Sequence, residues 1–390
     1  MEIIKINHYD NSLYVEVSMP NNRFVFLKYG TASEPLSDYL PIKVLPLDQD
    51  GYGKYEFSPE NMIPEAATHI WVSSEDAEHN IAFAPIPNKQ ELPTENPNFL
   101  FYAISDIHTI CKGGKQLRFQ AEAFQHISDA DAAFVLIAGD LSNGVRAAEY
   151  SIMSQQIEKR LAGIPVLQTF GNHDFHPNQS EDIPDHQSRM DFRNWLIERN
   201  CSFGVSCDYY DEYNYSTTIG GIHIVSLQGV DYKDKIYSVG DDALSWLDTV
   251  LSKHSGEKQI VFCHYPLSND TGRIYLRENT KVKQMLERYG NILYFAGHTH
   301  DSLVSDVSSI RNNRAVTYIN TASVGNTEPC DKTARSLKSF RDKATYPQLH
   351  EYFCRRSMGI RVEVYDSHYI VHGVDFAQNK YSPQCMAVIR

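Results

Sequence analysis

The sequence predicts an α/β protein that is preceded by a small all-β region, and two observations carry this prediction. Up to about residue 84, short runs of alternating apolar and polar residues are separated by Asn, Pro, Gly and Asp, a pattern typical of β-strands and turns. After about residue 98, compact apolar runs of strand length alternate with helix-like stretches. Such alternation is typical of an α/β domain whose central strands are buried on both faces.

The N-terminal region, residues 1–84, contains four segments with the composition of β-strands: SLYVEVSM, NRFVFLKYG, GKYEFSP and THIWVSS. They predict a small β-sandwich of the immunoglobulin or fibronectin type. Residues 85–97 carry four prolines among polar residues, which predicts an extended linker. Residues 98–390 are then expected to form one larger domain, while the role of the N-terminal region stays open between shaping the cleft, dimerisation and carbohydrate binding.

The larger domain is predicted from its apolar runs and the stretches between them. Six runs have the length and composition of buried strands: FLFYAIS, AAFVLIAG, IPVLQTF, IHIVSLQ, KQIVFCH and NILYFAGH. The stretches KQLRFQAEAFQHIS and RAAEYSIMSQQIEKRL are predicted helices. Towards the C-terminus, GIRVEVYDSHYIVHGVDF predicts a β-hairpin that turns near Asp366 and Ser367.

Composition and charge exclude several classes of protein. Of the 390 residues, 42% are hydrophobic and 22% are charged, and the formal net charge is -13. This acidic balance argues against a nucleic-acid or membrane partner, and we read neither an export signal nor a membrane-spanning stretch. Seven scattered cysteines without a CxxC pair fit free thiols in a reducing compartment. We therefore expect a cytoplasmic protein.

Polar residues follow five of the apolar runs at the point where each run ends. The five segments are SDIH, GDLSNG, GNHD, CHYP and GHTH. In open α/β sheets, ligands bind outside the carboxyl ends of the strands. We therefore expect these segments to converge on one crevice, although they are far apart in the chain.

The five segments carry the donor atoms of a metal site. Carboxylate oxygens, an amide oxygen and imidazole nitrogens suit Zn, Mn or Fe, and here they come from Asp106, His108, Asp140, Asn172, His264, His298 and His300. Seven ligands are too many for one tetrahedral ion and fit two ions that share a bridging carboxylate. The predicted cofactors are therefore two divalent metal ions, Mn, Zn or Fe.

Each of these residues, taken alone, also has a simpler interpretation. Asp106 or Asp140 after a strand commonly forms a turn or caps a helix, and a lone His264 behind a strand is commonly a hydrogen-bonded histidine. The joint pattern, with a suitable residue type at five successive strand ends, favours the metal site.

The order DxH, GD, GNH[DE], H and GHxH resembles that of the calcineurin-like metallophosphoesterases, over about residues 98–325 and more loosely to about residue 377. The resemblance implies a β-sandwich of two mixed sheets flanked by helices, with a dinuclear metal site at the sheet edge. It implies that one ion is bound by Asp106, His108 and His300, that the other is bound by Asn172, His264 and His298, and that Asp140 bridges them.

The same resemblance implies the reaction. A metal-bound hydroxide attacks a phosphate ester in line, while Asn172 and the metal ions hold the phosphate oxygens. His173 is the implied general acid that protonates the leaving alkoxide. Asp174 is expected to order the loop. The predicted catalytic residues are thus His173, Asp140 and Asn172.

The stretch GDLSNGV limits the classes of substrate that are expected. Protein Ser/Thr phosphatases of the superfamily carry GDxxDRG, and purple acid phosphatases carry a metal-binding tyrosine in GDxxY, whereas Asn143 occupies that position here. Neither a protein-phosphatase role nor a ferric-tyrosinate site is therefore expected. The predicted substrate is a small-molecule phosphate ester, and monoester and diester both stay open.

Several alternatives stay open at this point. A non-catalytic metal-binding scaffold on the same fold is the alternative function, while a nuclease role is disfavoured by the lack of a basic, aromatic-interleaved strip. His176, Arg189 and Arg193 could hold a substrate phosphate or lie on solvated surface, and the basic stretch 326–356 has the same two interpretations. Tyr265 is expected to be packed rather than to stack on substrate. The oligomeric state is unknown.

Overall fold

The structure is a computed structural model with a mixed α/β fold and an all-β N-terminal region. The residues it describes are 2–9, 12–18, 24–47, 51–57, 66–73, 80–85, 96–111, 113–175, 186–233, 236–267, 274–304, 309–313, 315–328, 354 and 356–390. The fold class predicted from the sequence is confirmed. Among the helices in these ranges, none is long and apolar enough to cross a membrane.

The N-terminal region forms two antiparallel sheets, ordered β1-β2-β5 and β4-β3-β6-β7. Their strands are β1 (Glu2–Tyr9), β2 (Ser12–Ser18), β3 (Phe24–Gly30), β4 (Lys43–Pro46), β5 (Tyr52–Phe57), β6 (His69–Ser73) and β7 (Asn80–Pro85). Alternate residues of β3, among them Val25 and Leu27, pack with Val17 of β2 and Ile70 of β6 in a small core. The predicted all-β character is confirmed, and β1, β4 and β7 are strands that the sequence patterns did not reveal.

One of the two larger sheets has six strands in the order β10-β9-β8-β20-β21-β22. The strands are β8 (Phe99–Ile104), β9 (Val135–Ala138), β10 (Val166–Thr169), β20 (Met358–Val364), β21 (Tyr369–Asp375) and β22 (Lys380–Ile389). Strands β8 to β10 are parallel and β20 to β22 are antiparallel, so the sheet is mixed. The predicted hairpin around Asp366 is confirmed, and β22 is an additional strand.

The other sheet has seven strands in the order β11-β12-β13-β16-β17-β19-β18. The strands are β11 (Asp208–Tyr209), β12 (Tyr215–Ile219), β13 (Ile222–Ser226), β16 (Gln259–Phe262), β17 (Ile292–Ala296), β18 (Ile310–Asn312) and β19 (Val316–Asn320). A separate small pair consists of β14 (Asp231–Lys233) and β15 (Ile236–Ser238). Strands β13, β16, β17 and β19 are parallel, so their carboxyl ends meet at one edge.

The main core lies between the two large sheets because alternate strand residues face it. Phe101 and Leu136 of the six-stranded sheet pack in one cluster with Ile224, Phe262 and Phe295 of the seven-stranded sheet. Burying each such side chain contributes roughly 1.5–3 kcal/mol. The opposite faces pack against helices, namely α1 (Lys115–Asp129), α2 (Ala147–Arg160), α3 (His186–Ser202), α4 (Asp241–Lys253) and α5 (Asn279–Tyr289). The sandwich of two mixed sheets flanked by helices is therefore confirmed.

The N-terminal region is joined to the six-stranded sheet at its edge strand, β22. Tyr39 forms a parallel bridge with Tyr381, with Leu40 N donating to the Tyr381 carbonyl at 2.9 Å. Phe24 and Leu40 are buried in the main core rather than in the N-terminal one. The domain boundaries near residues 84 and 98 stay a prediction, and most of the expected linker, residues 86–95, lies outside the described residues.

Candidate metal centre

Five parallel strands deliver the predicted ligands to one place. Strands β8, β9 and β10 of one sheet and β16 and β17 of the other each end two or three residues before the first predicted ligand of their segment. Because the carboxyl ends of both parallel sets lie at the same edge of the sandwich, side chains far apart in sequence converge. The residues brought together in this way are Asp106, His108, Asp140, Asn172, His264, His298 and His300.

The first half of the cluster contains Asp106, His108, Asp140 and His300. One ligand atom from each of these four lies within 4.8 Å of those of the other three. His300 Nε2 is 3.1 Å from Asp106 Oδ1 and 3.1 Å from His108 Nε2. Three of the four residues are buried, so the donor atoms face one another rather than solvent.

The second half of the cluster contains Asn172, His264 and His298. Asn172 Oδ1 lies 3.1 Å from His264 Nε2 and 2.8 Å from His298 Nδ1. The two imidazole nitrogens are 3.2 Å apart. Three donor atoms therefore point at one small volume.

Asp140 joins the two halves. Its Oδ2 lies 3.6 Å from His108 Nε2 in the first half and 3.4 Å from His264 Nε2 in the second. Its other oxygen, Oδ1, accepts the backbone N–H of His173 at 2.8 Å. This arrangement leaves one carboxylate oxygen facing both groups of donors.

The donor set fits divalent cations. Two almost fully buried carboxylates lie among four imidazoles and one amide oxygen. Buried charge of this kind is costly unless it is paired or binds metal. Mixed oxygen and nitrogen donors suit Zn, Mn and Fe. The assignment of each residue as a ligand stays a prediction.

The backbone decides which nitrogen two of the imidazoles present to the cluster. His264 Nδ1 lies 2.8 Å from the carbonyl oxygen of Ala138, and His300 Nδ1 lies 3.1 Å from that of Asn326. A carbonyl oxygen can only accept, so Nδ1 carries the proton in both rings and donates it. In the neutral form of each ring, Nε2 is therefore the nitrogen that can bind a metal ion, which is the usual arrangement of metal-binding histidines.

Five of the seven predicted ligands have left-handed backbone conformations. Asp106, His108, Asp140, His298 and His300 have φ angles between 50° and 72°. Non-glycine residues rarely adopt this region, and the cost is of order 1 kcal/mol or more for each. Residues in strained conformations cluster at functional sites when the surrounding structure holds them there. Here a main-chain hydrogen bond from His108 N to the Asp140 carbonyl oxygen connects two of the ligand segments.

The glycines of two motifs lie directly against ligand side chains. A Cβ on Gly171 would lie 2.5 Å from the backbone nitrogen of Asp140 and would overlap its carboxylate, and a Cβ on Gly297 would overlap Asp106 Oδ2. Backbone atoms cannot move away as the end of a flexible side chain could. The chain therefore needs glycine at position 171 for a reason independent of metal chemistry, whereas the atoms that crowd Gly297 belong to the side chains of Ser105 and Asp106.

Gly171→Ala is expected to displace Asp140 and to lower the metal content from about two ions to less than one ion per chain, although no ligand is removed. Elemental analysis of the purified variant, with circular dichroism to verify folding, measures this effect. Gly163→Ala is the matched control, since nothing lies within 4 Å of a Cβ at that position. Full metal content in Gly171→Ala would contradict the assignment of Asp140 as the bridge.

The pKa values of the four histidines among the predicted ligands fall into two groups. Burial disfavours the charged form of His264, but Asp140 outweighs it and raises the pKa of His264 to about 9. Burial is likewise outweighed at His300, where Asp106 raises the pKa to about 9. Burial instead lowers the pKa of His108 to about 4 and that of His298 to about 3. In the metal-free protein at neutral pH, two of the four imidazoles are therefore protonated.

Metal binding is expected to release about two protons per chain at pH 7.5, because His264 and His300 must be neutral to act as ligands. Both pKa values are raised, so the protons are bound below pH 9 and metal affinity should fall as the pH is lowered from that value. Calorimetric titration with Mn²⁺ in buffers of different ionisation enthalpy counts the released protons. A binding heat that does not depend on the buffer would contradict this prediction.

His173 lies beside the cluster rather than in it. Its ring centroid is 4.6 Å from that of His108, with the two planes at 86°, and its Nδ1 is 3.3 Å from the carbonyl oxygen of Asn143. With Nδ1 as the donor in this contact, Nε2 is available for proton transfer. The position suits the predicted general acid, and that role stays a prediction.

Asp174 connects the GDLSNG and GNHD segments. Its carboxylate accepts the backbone N–H of Gly171 at 2.9 Å and that of Leu141 at 3.1 Å. It also accepts Ser142 N, Ser142 Oγ and Tyr150 OH between 3.0 and 3.1 Å. The expectation that Asp174 orders the loop agrees with these contacts.

Arg189 and Arg193 contact other parts of the protein. Arg189 is buried. It donates to the Asp174 carbonyl oxygen at 2.8 Å and stacks on Phe175 at 4.3 Å, so it stabilises the segment that contains these two residues. Arg193 stacks on Tyr209 at 4.3 Å. Of the two interpretations left open for Arg189, a position on solvated surface is wrong, because the side chain is buried against other protein groups. His176 lies outside the described residues, as do residues 329–353 of the basic stretch.

Tyr265 is fully buried and stacks on Tyr237 with ring centroids 4.3 Å apart, which confirms that it is a packed residue.

The sequence interpretation missed Ser105, whose hydroxyl hydrogen-bonds Asp106 Oδ2 and accepts from Thr321 Oγ1 at 2.7 Å. Its position directly before Asp106 was a signal that could have been used. Ser105 orients one of the predicted ligands.

The chain was compared with known proteins. The model of the calcineurin-like phosphoesterase family matches residues 99–302. A dimetal phosphatase from Danio rerio has a similar structure, with a TM-score of 0.50, 14% identity and coverage of 75% of this chain and 99% of that one. A purple acid phosphatase from yellow lupin (Lupinus luteus) seeds has a TM-score of 0.51, 11% identity and coverage of 97% and 72%. No curated protein matches the sequence.

These identities are low, so the two solved structures establish a shared fold and no shared substrate. The family model covers more than half of the chain and includes every predicted ligand from Asp106 to His300. The chain belongs to the calcineurin-like phosphoesterase family.

Proposed function

We propose that this protein is a dinuclear metal-dependent phosphoesterase that hydrolyses a phosphate ester of a small molecule. The proposal is supported by one observation above all. Two groups of donor atoms, each with enough donors for one metal ion, lie on either side of Asp140 Oδ2. This oxygen is 3.6 Å from His108 Nε2 and 3.4 Å from His264 Nε2. Two ions about 3.5–4 Å apart can share such a carboxylate.

In this proposal Asp106, His108 and His300 hold one ion, and Asn172, His264 and His298 hold the other. Asp140 would help to hold both ions, and Mn, Zn or Fe would suit these donor atoms. When bound, two divalent ions neutralise charge on the phosphoryl group and activate water for attack.

The side chains of Asn172 and His173 are proposed to act on the substrate. Asn172 Oδ1 faces the two histidine nitrogens, so its Nδ2 is left to donate to a phosphate oxygen. His173 Nδ1 donates to the Asn143 carbonyl oxygen, which orients the ring and leaves Nε2 to protonate the leaving alkoxide. This division of roles keeps the group that holds the phosphate apart from the group that moves a proton.

A substrate panel tests the proposed reaction. Purified protein loaded with Mn²⁺, Zn²⁺ or Fe²⁺ is assayed with an aryl phosphate and a bis-aryl phosphate, followed by sugar, nucleotide and lipid-headgroup esters. We expect hydrolysis of at least one class that disappears on treatment with a chelator and returns on addition of metal. Absence of hydrolysis across the whole panel with two ions bound would refute the enzymatic function.

Metal analysis separates the enzyme from the alternative, a non-catalytic scaffold. An enzyme of the proposed kind retains about two ions per chain, whereas a degenerate scaffold should hold far fewer. All seven predicted ligands and His173 are present in the sequence, which favours catalysis.

We infer that residues 98–390 form the catalytic domain and residues 1–84 a separate module. A cytoplasmic location is consistent with the described cysteines, which are free thiols, and the acidic charge favours a small-molecule substrate over nucleic acid.

A further inference from the structure

The free side of strand β10 is covered by side chains rather than by another strand. β10 lies at one edge of the six-stranded sheet, and an edge strand leaves backbone N–H and C=O groups unpaired unless something covers them. Asn200 of α3 accepts the N–H of Val166 at 3.1 Å and donates to its carbonyl oxygen at 2.7 Å. The hydroxyl of Tyr215 accepts the N–H of Gln168 at 3.0 Å and donates to its carbonyl oxygen at 2.8 Å. Side chains therefore take the place of a neighbouring strand at two residues of β10.

Gln228 binds the backbone in the same way at Phe170, the residue that follows β10. Its Oε1 accepts the Phe170 N–H at 2.8 Å and the Thr169 hydroxyl at 2.7 Å. Its Nε2 donates to the carbonyl oxygens of Phe170 at 2.8 Å and Gly229 at 3.0 Å. The side chain is almost fully buried, and these hydrogen bonds use both lone pairs of the amide oxygen and both N–H groups. The Gln228 amide is therefore fixed in one orientation.

Gln228 connects the two large sheets at the edge where the predicted ligands meet. It follows the end of β13 by two residues, and β13 pairs with β16, the strand that leads to His264. Phe170 extends the edge strand of the other sheet and precedes Asn172 by two residues. Asn172 Oδ1 lies 3.1 Å from His264 Nε2 and 2.8 Å from His298 Nδ1. The second group of donors therefore depends on how the two sheets are held at this point.

The chain between Phe170 and Asn172 has little room to absorb a shift. Gly171 packs so closely against Asp140 that an added Cβ would lie 2.5 Å from the backbone nitrogen of that residue. His173 N donates to Asp140 Oδ1 at 2.8 Å, which attaches the turn to the ligand cluster on its other side. A displacement of Phe170 is therefore expected to move Asn172 as well.

We propose that Gln228 is a positioning residue of the metal centre, which holds Phe170 against the seven-stranded sheet and so keeps Asn172 Oδ1 beside the two histidine nitrogens. This inference rests on the proposed dinuclear site and gives a role to a residue outside the predicted ligand set. Replacing a group that orients a metal ligand typically weakens metal binding 10–100-fold. Asn200 makes the same pair of hydrogen bonds six residues before Asn172 and from a helix, so it is expected to contribute to stability alone.

Calorimetric titration of the chelator-treated full chain with Mn²⁺ tests the proposal in Gln228→Met, which keeps the length of the side chain and removes its hydrogen bonds. We expect one ion to bind as in the wild type and the other to bind about 10–100-fold more weakly. Asn200→Leu is the matched control and should leave both affinities unchanged, although both variants should unfold at a lower temperature. Two unchanged affinities in folded Gln228→Met, or equal weakening in Asn200→Leu, would overturn the proposal.

Thr169→Val is a milder variant that serves if Gln228→Met does not fold. It removes only the hydroxyl that donates to Gln228 Oε1 and leaves both hydrogen bonds between Gln228 and Phe170 in place. We expect the same ion to bind about two- to tenfold more weakly, the range that corresponds to one hydrogen bond. Unchanged Mn²⁺ affinities in Thr169→Val would also overturn the proposal.

Hydrogen exchange of the metal-free full chain separates this proposal from the proposed activity. Backbone amides of residues 170–175, followed by mass spectrometry, should exchange on the order of tenfold faster in Gln228→Met than in the wild type, because the turn opens locally more often. Exchange in the same segment should be unchanged in Asn200→Leu. Wild-type exchange in Gln228→Met would overturn the proposal. Failure of the phosphoesterase assays would leave this measurement unaffected, so the two proposals can fail independently.

Discussion

Asp140→Asn is expected to abolish phosphoesterase activity, with a fall of at least about a thousandfold in kcat/KM. The amide removes the negative charge that faces both groups of donors, and stabilisation by metal ions contributes several kcal/mol to phosphoryl transfer. Each 1.36 kcal/mol is a factor of ten in rate. Initial rates on the best substrate of the panel, together with elemental analysis, measure the activity and the number of bound ions.

Asp191→Asn is the matched control for this variant, because Asp191 lies on the exposed face of α3 and accepts a hydrogen bond from Gln187. It should retain wild-type activity and metal content. If Asp140→Asn keeps both ions and more than about a tenth of the activity, the bridging role of Asp140 is wrong.

His173→Gln is expected to lower kcat by about 10² to 10⁴, the usual contribution of a general acid, while the metal content stays at two ions per chain. The loss should depend on the leaving group. An alkyl phosphate needs protonation of its alkoxide and should lose the full factor, whereas a nitrophenyl phosphate has a stable leaving group and should lose much less. Steady-state kinetics on the two substrates measure this difference.

His254→Gln provides the comparison for His173→Gln. His254 is at the C-terminus of α4, where its Nδ1 pairs with Glu257 at 2.9 Å, and its replacement should change neither kcat nor metal content. An equal loss on both substrates in His173→Gln would contradict proton donation and would indicate that the side chain positions the phosphate instead.

The positions of the predicted ligands could be read from the sequence because each follows a buried strand. The apolar runs that become β9 and β17, residues 135–138 and 292–296, end one residue before the glycine of GD and two residues before the first histidine of GHTH. Strand polarity then decides where the side chains meet. Hydrophobic pattern and residue type together were enough for this part of the site.

The partners that orient the ligands could not be predicted in the same way. His264 and His300 donate to the main-chain carbonyls of Ala138 and Asn326, and any residue type can supply a carbonyl oxygen. Arg189 is a similar case, because its partners are a carbonyl oxygen and an aromatic face. Such contacts depend on the path of the chain and cannot be recognised from the local sequence.

The left-handed conformations of five ligands also escaped prediction, since this backbone region is uncommon for Asp and His and local sequence does not indicate where they adopt it. In the same way, β22 was not anticipated because the stretch KYSPQCMAVI contains a proline and no clean alternation. Tertiary packing against β21 rather than local preference forms this strand.

The bridge between Tyr39 and Tyr381 has a consequence for how the protein behaves in solution. An edge strand presents unpaired N–H and C=O groups that can template aggregation with another chain. Here the N-terminal region takes up two of these groups on β22, through Leu40 N and the Asp38 carbonyl, and covers the neighbouring core with Phe24. A fragment starting at residue 98 would expose this surface. The N-terminal region therefore covers part of a sheet edge that would otherwise be open to pairing with another chain.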